Sequence, residues 1–246
     1  MTSEFKSHRS YWDFAASVER YWRYMRTADD DNFMEAVLAN SDEKGQEVLA
    51  GTLLWRAQLG SCPCRSIDVE VPLSRERMKP PLEWVLDGRA PEGRINPKGI
   101  PFLYAATHMR TAIGEVRPSL GDLVSVAELR TSRDIRLINC TTDEGKIRTI
   151  IYFKEPGAEQ KRLAVWRDID RAFSRPVTAS DDRADYAATQ FIAEVFRRHG
   201  FDGIAYRSSF GPGHNIALFD LDAADVAADP ELVEVTDLCL KYSRRS

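Results

Sequence analysis

Apolar and polar positions along the chain follow two rhythms. Near the N-terminus, Tyr11, Phe14, Ala15, Val18, Tyr21, Trp22 and Met25 recur at steps of three and four. That spacing predicts an amphipathic helix through Tyr11–Met25, capped by Ser10. Asp30 or Asp31 is positioned to cap a second short helix, NFMEAVLA. Ser41, with Asp42 and Glu43 behind it, predicts a third that ends near Gly51. After residue 50 the rhythm changes. Leu53–Gln58 is an apolar run broken by Arg56, and Phe102–Tyr104 reads as a strand. Thr107 is placed to cap a helix that Pro118 ends. Leu123–Leu129 and Ile135–Ile138 also read as strands, as do Ile204–Tyr206 and a second run ending at Phe219. Ala158–Phe173 and Asp182–His199 are amphipathic helices, the second closed by Gly200, and Leu232–Tyr242 predicts a terminal strand. Gly60–Pro91, rich in Pro, Ser and charge, reads as a loop. The pattern predicts an α+β fold, with a helical extension over residues 1–50 and a mixed sheet domain over 51–246.

Within that pattern Gly93–Pro118, GRINPKGIPFLYAATHMRTAIGEVRP, places charges where a plain core element needs none. Asn96, Pro97 and Gly99 are turn residues. On the helix that follows, Thr111, Ala112 and Glu115 share one face, and small residues a turn before the carboxylate leave room for a ligand. Gly203–Asp220, GIAYRSSFGPGHNIALFD, runs a strand into Arg207-Ser208-Ser209, a Gly-Pro-Gly turn and Asn215.

With Arg56, these segments resemble the RES-domain family, named for its Arg, Glu and Ser positions. The pattern is R…GR-x-N-P-x-G-x-P-x-L-Y…A-x-x-E-V-R…R-S-S…G-x-N-x-x-L-F, in order over about residues 51 to 220. The resemblance implies a mixed β core flanked by helices, similar to ADP-ribosyltransferases, and an enzyme that cleaves NAD. It also implies a toxin held by an Xre-type antitoxin. Arg56 takes the place of the family's Arg, Glu115 its Glu, and Ser208 or Ser209 its Ser. Arg94 takes the place of a second Arg, and Tyr104 that of an aromatic beside the site.

The residue types suit that chemistry. A guanidinium donates two parallel hydrogen bonds to a diphosphate, which suits Arg56 and Arg94. Ser208 and Ser209 lie beside Gly211 and Gly213, which suits an anion-binding concavity, and Asn215 after that turn is a further substrate-binding candidate. Glu115 is suited to stabilise the positive charge that develops on the ribose carbon as nicotinamide leaves. Tyr104 is suited to stack on the nicotinamide ring. The acceptor stays open: water makes a glycohydrolase, phosphate a phosphorylase, and a protein side chain an ADP-ribosyltransferase. A non-catalytic interaction protein with this fold is the alternative from another class.

Composition narrows the rest. Residues 1–50 carry 6 Lys/Arg against 10 Asp/Glu, which accounts for the whole net charge of −4. No basic excess points to nucleic acid. There is no apolar run long enough for a membrane helix and no apolar signal core in MTSEFKSHRSYWDF. Four cysteines without a paired zinc spacing read as reduced thiols of a cytoplasmic protein, with no metal site. There is no Walker loop and no GxGxxG. The N-terminal apolar stripe is expected to pack on the sheet domain; the alternative is a surface for a partner or a second copy of the chain, since Trp12, Tyr21, Trp22 and Tyr24 are interface-prone types.

Overall fold

The computed structural model describes residues 4–64, 69–142, 154–175 and 183–239. Its centre is a mixed sheet. The strands are β1 (Gly45–Val48), β2 (Leu53–Leu59), β5 (Leu103–Ala106), β6 (Leu123–Thr131), β7 (Ile135–Asn139), β8 (Gly203–Arg207), β9 (His214–Leu218), β10 (Ala224–Val226) and β11 (Glu231–Glu234). They run in the order β1-β7-β8-β9-β5-β2-β6-β10, with β11 also paired to β6. The β7–β8 pair is parallel and the other pairs are antiparallel. β3 (Cys62–Cys64) and β4 (Val69–Val71) form a separate two-stranded ladder. The helices are α1 (Ser10–Ala16), α2 (Ala28–Ala39), α3 (Leu82–Leu86), α4 (Met109–Glu115), α5 (Ala158–Ser174) and α6 (Ala187–Arg198). The architecture is α+β.

One large apolar cluster joins the N-terminal helices to the sheet. Tyr11, Phe14, Val18, Phe33 and Val37 share it with Val165, Trp166, Ile169, Ile192, Phe196 and Ile204. The α1 periodicity therefore reports a real buried face as far as Val18. Beyond it the expected helix stops. A π-helical turn over Ser17–Tyr21 closes with Trp22 N–H donating to Ser17 O at 2.9 Å. The chain leaves the core there, and Tyr21, Trp22 and Met25 are 73%, 56% and 71% exposed. Arg9 takes the N-cap position rather than Ser10. The second helix starts earlier than Asp30: Thr27 caps it in a reciprocal box, accepting from Asp30 N–H at 3.2 Å while Asp30 accepts from Thr27 N–H at 2.9 Å.

The third expected helix is a single 3₁₀ turn, Asp42–Lys44, followed by β1. Pairing of Gly45–Val48 with Ile135–Ile138 outweighs the local helical signal. The described parts of the expected loop 60–91 do not lie free on the surface: Cys62–Cys64 and Val69–Val71 form a ladder, and Leu73 and Met78 are buried against the sheet. Thr107 is not a cap: it extends the β5–β9 ladder, with its N–H on His214 O at 2.9 Å, and His108 takes the N-cap position. The terminal strand spans only Glu231–Glu234, and residues 240–242 of the expected run lie outside the described residues, as does Asp182. Gly200 has φ +84°, the left-handed geometry that closes α6.

Candidate functional site

β2 carries Arg56 between its neighbours β5 and β6. Its Nη1 donates to Tyr104 O at 2.7 Å, and its buried Nε has no partner. Burial pushes the guanidinium pKa down to about 10, so it remains a cation at neutral pH. No carboxylate pairs with it among the described residues.

The Gly93–Gly99 loop is built around Asn96, which is 3% exposed. Its Nδ2 donates to Pro91 O and Ile100 O at 2.9 and 3.0 Å, and its Oδ1 accepts from the Tyr104 hydroxyl at 2.7 Å. A Cβ at position 93 would sit 2.5 Å from Asn96 Oδ1 and 2.9 Å from Tyr104 Oη, so any other residue there must displace the hydrogen-bonded Asn96–Tyr104 pair. α6 holds the loop from behind. Thr189 Oγ1 donates to Arg94 O at 2.6 Å, and Gln190 Nε2 donates to Gly93 O at 2.8 Å. Arg94 is thereby laid over the Tyr186 ring at 4.9 Å, with Nη1 on Ala172 O at 3.2 Å.

Glu115 is the last residue of α4, where the helix dipole disfavours a negative charge. Two donors offset that. Ser208 Oγ and Asn215 Nδ2 both donate to Glu115 Oε1, at 2.7 and 2.6 Å. No ion pair joins Glu115 to Arg110 or Arg117 among the described residues. Ser208 also accepts from Phe210 N–H at 3.0 Å. Of the two candidate serines, Ser208 contacts the carboxylate, while Ser209 Oγ donates to Ser174 O at 3.1 Å. Thr111 does not leave room for a ligand. It is fully buried, and its hydroxyl donates to Pro212 O. Ala112 does face the opening.

These elements enclose a cavity of about 690 Å³. Arg56, Arg94, Tyr104, Glu115, Ser209 and Asn215 all line it, and Ser208 reaches it through Glu115. The structure thus brings together every site residue singled out in the sequence. The lining residues that sequence reasoning missed include Arg117, Phe173, Tyr206 and Phe210. Arg117 has φ +50°, the one non-glycine residue in the left-handed region among those described, and its guanidinium lies 5.1 Å from the Phe210 ring centroid. Phe210 seats against Gly114, where a Cβ would meet its Cβ at 2.8 Å and its carbonyl oxygen at 2.9 Å. Tyr206 was legible in principle, since strand alternation puts it on one face with Ser208. Arg207, quoted in the sequence pattern without a role, ties β8 to α5 through a 2.6 Å bond to the fully buried Asp170. Among the described residues that line the cavity are four guanidiniums, Arg56, Arg94, Arg117 and Arg175, and one carboxylate, Glu115, a predominantly cationic lining. No group of three or more His, Cys, Asp or Glu suited to a metal occurs among the described residues. No helix there is long and apolar enough to cross a membrane.

No curated protein matches the chain. Among solved structures, it is similar to a chain of the crystal structure of the M. tuberculosis MbcT-MbcA toxin-antitoxin complex. Identity is 14% and the TM-score 0.45, over 81% of this chain and 92% of that one. The family model described as the RES domain matches residues 74–242. That stretch contains Arg94, Tyr104, Glu115, Ser208, Ser209 and Asn215 and begins after Arg56. With that match covering well over half of its length, the chain belongs to the RES-domain family.

Proposed function

We propose that this protein consumes NAD, breaking the bond between nicotinamide and ribose and passing the ADP-ribosyl group to water or phosphate. The observation that carries this reading is the pairing in one cavity of a two-donor-held carboxylate, Glu115, with the guanidiniums of Arg56 and Arg94. A volume of about 690 Å³ suits a dinucleotide. Arg56 and Arg94 bind the diphosphate, where a planar fork matches two oxygens. Tyr104, fixed by Asn96, offers its ring to the nicotinamide.

Glu115 acts on the ribose. Oε1 is held by Ser208 and Asn215, which leaves Oε2 to face the substrate. As the C1′–N bond breaks, its electron pair goes to the pyridinium nitrogen and nicotinamide leaves neutral. The positive charge that grows on the ribose carbon is opposed by the fixed carboxylate, which binds the transition state better than the ground state. The acceptor oxygen then bonds to C1′ and its proton goes to solvent. Water gives ADP-ribose; phosphate gives its 1″-phosphate. Family membership supports a further reading, that this activity belongs to the toxin of a toxin–antitoxin pair whose antitoxin covers the cavity.

Incubation of the purified protein with NAD, with and without phosphate, tests the proposal. Free nicotinamide is expected, and Glu115→Gln lowers its release by about 100- to 1,000-fold. Unchanged NAD under both conditions overturns the proposal. Arrested growth on expression, relieved by Glu115→Gln, is the expectation for a toxin; harmless expression of active protein removes that part.

A further inference from the structure

The hydroxyls that line the cavity are already bonded inside the protein, with one exception among the described residues. Tyr104 Oη donates to Asn96, Ser209 Oγ to Ser174 O, and Ser174 Oγ to Asp170, while the Asn215 amide holds Glu115. The hydroxyl of Tyr206, which lines the same cavity, has no hydrogen-bond partner among the described residues. Its ring is held: it sits 6.4 Å from Phe173, centroid to centroid, at 40°. Its strand pairs with β9 so that Tyr206 lies opposite Asn215.

The phenol therefore stands beside the residues that act on the substrate. Burial raises its pKa well above the ordinary value, with Tyr104 and Glu115 adding to the rise and Arg94 opposing it. It is a neutral hydroxyl throughout the working pH range, and so a hydrogen-bond donor. The hydroxyl opens to the cavity rather than being sealed in the core, so its donor is available to an oxygen of a ligand bound there.

We propose that Tyr206 is a substrate-binding residue, its hydroxyl donating to an oxygen at the nicotinamide–ribose end of the dinucleotide, beside Glu115. This assignment rests on the NAD reading. It adds a residue that the family's name-giving Arg, Glu and Ser do not include.

The free protein makes the test specific. Because the hydroxyl bonds to nothing within the fold, Tyr206→Phe keeps the ring against Phe173 and leaves the thermal midpoint unchanged. The same change at Tyr104 breaks the bond to Asn96 and lowers the midpoint. On NAD, Tyr206→Phe raises KM about tenfold with kcat within about twofold, the signature of lost uniform binding by one hydrogen bond. An unchanged KM overturns the assignment. A midpoint that falls as far as that of Tyr104→Phe also overturns it, since the hydroxyl then supports the fold. Wild-type protein that neither binds nor cleaves NAD fails the NAD reading itself, a result separable from either of those outcomes and one that withdraws the assignment with it.

Discussion

Two cavities of nearly equal size occupy this molecule, about 690 and 670 Å³, and they differ in what their side chains are doing. The second lies between β1 and α5 and is lined by Glu43, Lys44, Gln46, Asn139, Arg162 and Trp166. Its charges are satisfied from within. Arg162 pairs with Glu43 and Glu159, Lys44 Nζ donates to Thr141 O at 3.2 Å above the Trp166 ring, and Asn139 bonds Gln46 at 3.3 Å. The Trp166 indole N–H lacks a partner, but that side chain is only 2% exposed. In the first cavity Arg56 has no counter-charge, Glu115 is held by neutral donors, and Tyr206 is unbonded. Size does not locate a site; donors and charges left without internal partners do.

The largest effect that bears on this contrast comes from Arg56→Lys, which keeps the charge and removes the fork. We expect kcat/KM for NAD to fall roughly 10- to 100-fold in steady-state kinetics. No change would place the diphosphate elsewhere and dissolve the distinction. Gly114→Ala comes next. The new methyl strikes Phe210 backbone and Cβ, both set by the 208–213 turn, and costs on the order of 2 kcal/mol. Thermal denaturation is expected to show a midpoint lower by about 4–8 °C. A midpoint held at the wild-type value would mean that the turn yields. The smallest effect is Lys44→Met in the second cavity. It loses about 1 kcal/mol of stability and leaves kcat/KM for NAD untouched. A drop in turnover would give the second cavity a share in the chemistry.

Local chemistry explains what the sequence disclosed of all this. Arg56 interrupts an apolar strand and Glu115 ends a short helix among small residues, so both stood out as charges without a packing reason. The choice between Ser208 and Ser209 did not, because it depends on which serine faces α4 across the turn. Strand alternation could place Tyr206 on the face of Ser208, but not show its hydroxyl idle, because a strand tyrosine reads the same in either state. Asn96 read as a turn residue, yet it is a buried knot whose partners are visible only in three dimensions. β1 read as helix because its partner, β7, lies about ninety residues downstream. Likewise the apolar stripe beyond Val18 kept its spacing after the chain had left the core.

The strand formed by Gly45–Val48 has a consequence for handling the molecule. It caps the outer side of β7, whose amides and carbonyls would otherwise stand open in a row. A shortened chain begun at Thr52 uncovers that row, together with the surfaces on which Phe14 and Phe33 rest. Such a fragment offers other copies a template for edge-to-edge growth, and we expect it to precipitate rather than to report on the chemistry of the intact protein.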